Sequence, residues 1–139
     1  MIPSGVGDLR GEKVEQITLL NQKESISVDP DRLEELYAQL GDPAAGDIIC
    51  RAMEEIAARL AYADKCYGQG TRDDLHKNAR GLAAIAEQIG MQLLARVARD
   101  VAQSVRSGDQ VALSATFARL LRVGDRSLCD VWDFYGPSI

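Results

Sequence analysis

Between Pro30 and Phe134 the apolar residues recur at helical spacing, in runs separated by Gly, Asp-Pro or Gly-Asp. In the first run, Leu33, Leu36, Tyr37 and Leu40 share one face of a helix expected from Pro30 to Leu40. Asp29 offers a side-chain acceptor to the free amides of the first turn, Pro30 has the φ that turn needs, and Gly41 stops the helix. Asp42-Pro43 opens a second helix by the same chemistry. Ile48, Ile49, Met53, Ile56 and Leu60 carry it to about Cys66, and Gly68-Gln69-Gly70 breaks it. Thr71 is expected to cap a third helix, with Asp74 placed three residues on, as in a capping box. The seam of that helix is Leu75, Ala79, Leu82, Ala86 and Ile89, at spacings of four and three, and Gly90 ends it. A fourth helix runs from about Gln92 to Arg106 with Leu94, Val97, Val101 and Val105 inside. After a Gly108-Asp109 turn, a fifth runs from Gln110 to about Phe134. It offers Leu113, Phe117, Leu120, Leu121, Leu128, Val131 and Trp132 to a core. Gly124 inside it costs about 1 kcal/mol relative to Ala and marks a candidate bend.

Short connections make antiparallel neighbours. The expected fold is therefore all-α: an up-down-up-down four-helix bundle with a short leading helix, one domain over residues 29–135. Residues 1–28 read as an N-terminal arm. Met1 to Lys13 is Gly-rich and mixed in charge, the composition of a flexible segment, and Val14 to Asn21 fits either a short strand or a helical extension.

Composition narrows the function classes. With 46% hydrophobic and 27% charged residues in 139, the balance is that of a soluble globular domain, and the low aromatic content favours helix-on-helix packing. The formal charge is −5 and the basic residues are scattered, which argues against a nucleic-acid partner. No stretch has the length and apolarity of a membrane span or of a signal peptide, so a cytoplasmic protein away from the membrane is expected. Cys50, Cys66 and Cys129 are odd in number and widely spaced, so they read as buried free thiols rather than disulfides. With a single histidine they do not make a zinc set, and two Glu-x-x-His pairs for a di-metal bundle site cannot be assembled. No Gly-rich phosphate loop follows a strand. No cofactor is expected. A Cys66–His76 nucleophile pair across the Gly68 turn is the weakest of the catalytic readings.

The third helix and its surroundings resemble the histidine phosphotransfer (HPt) domain of bacterial phosphorelays. That family shows Ala-His-x-Leu-Lys-Gly on the second long helix, with a Gly ten residues after the histidine and a Leu-Ala-rich helix behind it. Here Gly90-Met91-Gln92-Leu93-Leu94-Ala95-Arg96-Val97-Ala98 is similar to the closing part. Counting back from Gly90 without a gap, Ala79 takes the Ala position and Leu82 the Leu position. Arg80 stands for the histidine, Ala83 for the lysine and Ala84 for the glycine. The resemblance spans about Val28 to Trp132 and is carried by helix lengths and small residues. It implies the same bundle, and a receiver domain or a histidine kinase as partner.

The mismatch has a chemical consequence. A phospho-accepting histidine attacks through a neutral imidazole nitrogen, whereas a guanidinium stays protonated and has no free lone pair. His76 stands one turn, about 6 Å, before Arg80. At about 100° per residue it points between the azimuths of Arg80 and Ala83, so Arg80 is placed to steady a phosphate on His76. Lys77, Ala83 and Glu87 complete the surface expected to recognise a partner or steady phosphate, and Glu87, Asp73 or Asp74 are alternative ion partners for Arg80.

Three readings follow. In the first, a degenerate, non-phosphorylated HPt-like domain docks a receiver or kinase, with Arg80 meeting the receiver's acidic cluster. In the second, an active phosphotransfer protein uses His76, at most as a phosphoryl carrier. In the third, a helical scaffold or dimerisation module, unrelated to phosphorelays, exposes an apolar patch near Trp132, Phe134 and Tyr135. A homodimer is compatible with each.

Overall fold

A computed structural model describes residues 28–135, all but a few of them helical: α1 (Pro30–Leu40), α2 (Asp42–Gln69), α3 (Arg72–Gln88), α4 (Gln92–Ser107) and α5 (Gln110–Tyr135). The arm of residues 1–27, including Val14 to Asn21, and the side chains of Phe134 and Tyr135 lie outside the described residues. Val28, read from sequence as part of the arm, is buried.

Local signals set most of the helix ends. The Asp29 side chain accepts from Asp31 N at 3.0 Å, and Asp109 Oδ1 accepts from Ala112 N at 3.0 Å to start α5. Two expected caps are absent. Gly41, which has no side chain to offer, caps α2, and Asp42 lies inside the first turn, where its charge meets the helix dipole. Thr71 precedes α3 without capping it: its hydroxyl donates to Cys66 O at 3.4 Å, so the Thr71–Asp74 box does not form. The second helix also passes Gly68 and ends at Gly70.

Each long helix packs on its chain neighbours, α5 returns to α2, and α1 packs on α2. The core is continuous through Ile49 and Ile56 of α2, Leu75 and Leu82 of α3, Leu94 and Val97 of α4, and Leu120 of α5. Alanines face each other across α3 and α4 (Ala79, Ala83 and Ala86 with Ala95, Ala98 and Ala102, all buried), and such small side chains let two helix backbones approach closely. The α3–α4 turn is pinned from outside. Gly90 has φ +81°, its carbonyl accepts from Asp29 N at 2.7 Å, and a Cβ there would stand 3.0 Å from Asp29 O and from Arg32 Cβ.

Two expectations about the core are corrected. Trp132 is 58% exposed and Ile48 42%, because both lie on the outward side of their helices. Gly124 does not interrupt α5. It is buried where α5 crosses α2, and a Cβ would come within 2.6 Å of Leu60 Cδ1. The missing side chain permits the close approach of Leu60.

Candidate functional site

Burial around α3 follows its helical wheel. Ala83 is 3% exposed, His76 is half-buried and Arg80 is exposed, in the angular order that about 100° per residue gives them. The position matching the family's lysine therefore points into the core. Ala83 cannot touch a partner or a phosphate.

His76 leans on α4. Its Nδ1 lies 3.2 Å from the main-chain oxygen of Ala102. A carbonyl oxygen only accepts, so this hydrogen bond requires the proton on Nδ1 and leaves Nε2 as the free ring nitrogen. The methyl side chain of Ala102 gives the ring access to that backbone.

Arg99, Ala102, Gln103 and Arg106 fall on one face of α4 and line an open groove with His76 and Arg80, about 250 Å³ in volume. No carboxylate is among these lining residues. Arg99 Nη2 donates to Glu87 Oε1 at 2.6 Å at the edge of the groove. Among the described residues, Arg80 and Arg106 form no ion pair. Glu87 thus serves Arg99, and the partners suggested for Arg80 (Asp73, Asp74, Glu87) do not meet it. Lys77 is exposed and does not line the groove.

Of the residues singled out from sequence, the structure brings His76 and Arg80 together, places Glu87 at the border, and separates Lys77 and Ala83. Arg99 and Arg106 were missed. Their spacing of seven residues was a legible signal that both share a face of α4, but nothing local shows that this face meets His76.

The other expectations for reactive groups resolve simply. Cys66 is buried, Cys50 half-buried and Cys129 exposed, all as free thiols, so only Cys66 fits the expected buried class. Among the described residues no three His, Cys, Asp or Glu side chains converge as a metal site, and no helix is long and apolar enough to cross a membrane. A second groove of about 350 Å³ between α2 and α5 is floored by Leu60, Leu121 and Leu128 and bordered by Asp64 and Asp125.

Comparison with protein-family models, with curated proteins and with solved structures gives no match to this chain.

Proposed function

We propose that this chain is an HPt-like, up-down-up-down four-helix bundle of two-component signalling, which docks a receiver domain or histidine kinase without carrying phosphate at the family's usual position. The observation that supports it is Arg80. It is exposed, free of any carboxylate among the described residues, and takes the histidine position of the resembled family when the sequence is counted back from Gly90. With Arg99 and Arg106 beside it, it makes a basic groove on a protein of net charge −5. The acidic cluster of a receiver is its complement, and such complementarity raises association rate and selects partners.

One observation favours a second reading, phosphotransfer through His76: the Ala102 carbonyl engages Nδ1, so in the neutral ring the lone pair lies on the other nitrogen, Nε2. The two readings separate in one experiment. Purified receiver domains from the source organism, phosphorylated and not, are titrated against the wild-type chain, Arg80→Glu and His76→Ala. Docking alone predicts binding that Arg80→Glu weakens about tenfold or more, the loss of a charge-assisted contact, and that survives His76→Ala, with no acid-labile label on the chain. Label that His76→Ala removes establishes the second reading. Absence of both binding and label across the panel overturns the phosphorelay assignment.

A further inference from the structure

We propose that the groove between α3 and α4 is a noncovalent binding site for a phosphoryl oxyanion, held between Arg80 on one wall and Arg106 on the other, with His76 as its floor.

The arrangement of charge is the first argument. Three guanidinium groups border one groove of about 250 Å³ that no carboxylate of the described residues lines. On a chain with more acids than bases, such a cluster carries mutual repulsion that an anion would relieve. Among the described residues only Arg99 of the three is neutralised, by Glu87 at 2.6 Å. Two cations are left for a ligand.

Geometry selects the class of anion. Arg80 and Arg106 reach the groove from different helices. A tetrahedral oxyanion presents oxygens in several directions and can be shared between two walls. A carboxylate offers two oxygens in one plane, the match for the fork of a single guanidinium. The floor is also preset. The His76 ring is oriented by its hydrogen bond to Ala102 O at 3.2 Å.

Two sources could supply this chemistry, free phosphate or the aspartyl phosphate of a receiver. The site stands without the receiver reading. The assignment of aspartyl phosphate as its natural occupant rests on that reading, and makes docking selective for the phosphorylated state.

The test has two arms. In the first, inorganic phosphate is titrated into the full chain while NMR follows the His76 ring and the arginine Nε–H signals, and the melting temperature is read in parallel, since a ligand of the native state alone must raise it. Saturable shifts centred on His76, Arg80 and Arg106 are expected, weakened about tenfold by Arg80→Gln or Arg106→Gln, the loss of one charge-assisted hydrogen bond. Arg51→Gln, which removes the same charge from the exposed surface of α2, should leave binding unchanged. Shifts spread over the surface, or equal losses in Arg51→Gln and Arg106→Gln, overturn the site.

In the second arm, receiver domains are compared with and without beryllofluoride, a mimic of the aspartyl phosphate. Preference for the beryllofluoride form that Arg106→Gln abolishes assigns the receiver as the source. Phosphate binding without any receiver binding leaves the site standing and sinks the receiver reading. Receivers that bind equally in both forms, together with no phosphate binding, sink the site and leave docking intact.

Discussion

Arg59 and Asn78 exchange two hydrogen bonds across the α2–α3 contact: Asn78 Nδ2 donates to Arg59 O at 2.7 Å, and Arg59 Nη1 donates to Asn78 Oδ1 at 3.3 Å. The guanidinium also bonds Glu55 at 3.1 Å and lies over Gly81, where a Cβ would run into Nη1. Asn78 is 7% exposed, so its amide has been taken from water and both of its ends are used. This contact fixes the rotation of α3 against α2, and thereby the direction in which His76 and Arg80 face. Asn78→Ala is expected to cost about 1–3 kcal/mol, the range for a lost buried hydrogen-bonding group. Urea unfolding measures it, and a change below about 0.5 kcal/mol, the level of neutral surface substitutions, would show that the pair does not hold the helices.

At Gly124 two effects oppose each other. Alanine would gain about 1 kcal/mol of helix propensity, but its Cβ would stand 2.6 Å from Leu60 Cδ1 and 2.9 Å from Cδ2. Overpacking costs about 1–3 kcal/mol, so Gly124→Ala should destabilise. In a Leu60→Ala background the same change should stabilise. The four proteins form a double-mutant cycle whose sign reversal is the check.

Ser127 is fully buried on α5 and its hydroxyl has no partner among the described residues. Ser127→Ala removes an unpaired polar atom and installs the better helix former. A gain of about 1 kcal/mol is expected. Thermal unfolding of the single variant measures it, and a loss would mean that the hydroxyl has found a hydrogen bond.

Trp132 is the sole tryptophan and is 58% exposed. Its fluorescence should lie close to that of tryptophan in water, be quenched efficiently by acrylamide, and shift little on unfolding. Trp132→Ala should change stability by no more than about 0.5 kcal/mol. A strong red shift on unfolding would return the ring to the core.

The helices were legible in the sequence because their signals are local. Asp29-Pro30, Gly41, Gly90 and Gly108 act on the backbone within a few residues, and the boundaries of α1 agree with the pattern at both ends. The expected caps fail for different reasons: Gly41 takes the cap place of α2 and leaves Asp42 inside the first turn, and the Thr71 hydroxyl has a neighbouring carbonyl within reach. Thr71 donates to Cys66 O of the preceding helix instead.

The sequence by itself determined that His76 and Arg80 share a face of one helix, since their spacing of four residues fixes a small angle between them. It also placed Leu75, Ala79, Leu82 and Ala86 in the core. Only the tertiary structure decided which side of that face is wet. The rotation of α3 depends on partners far along the chain, Arg59 on α2 and the alanines of α4, and it buries Ala83 while leaving Arg80 in solvent. The same packing brings Arg99 and Arg106 to the His76 groove from a different helix. Helical periodicity sets angles within one element; the angle between elements is set by which surfaces pack closest.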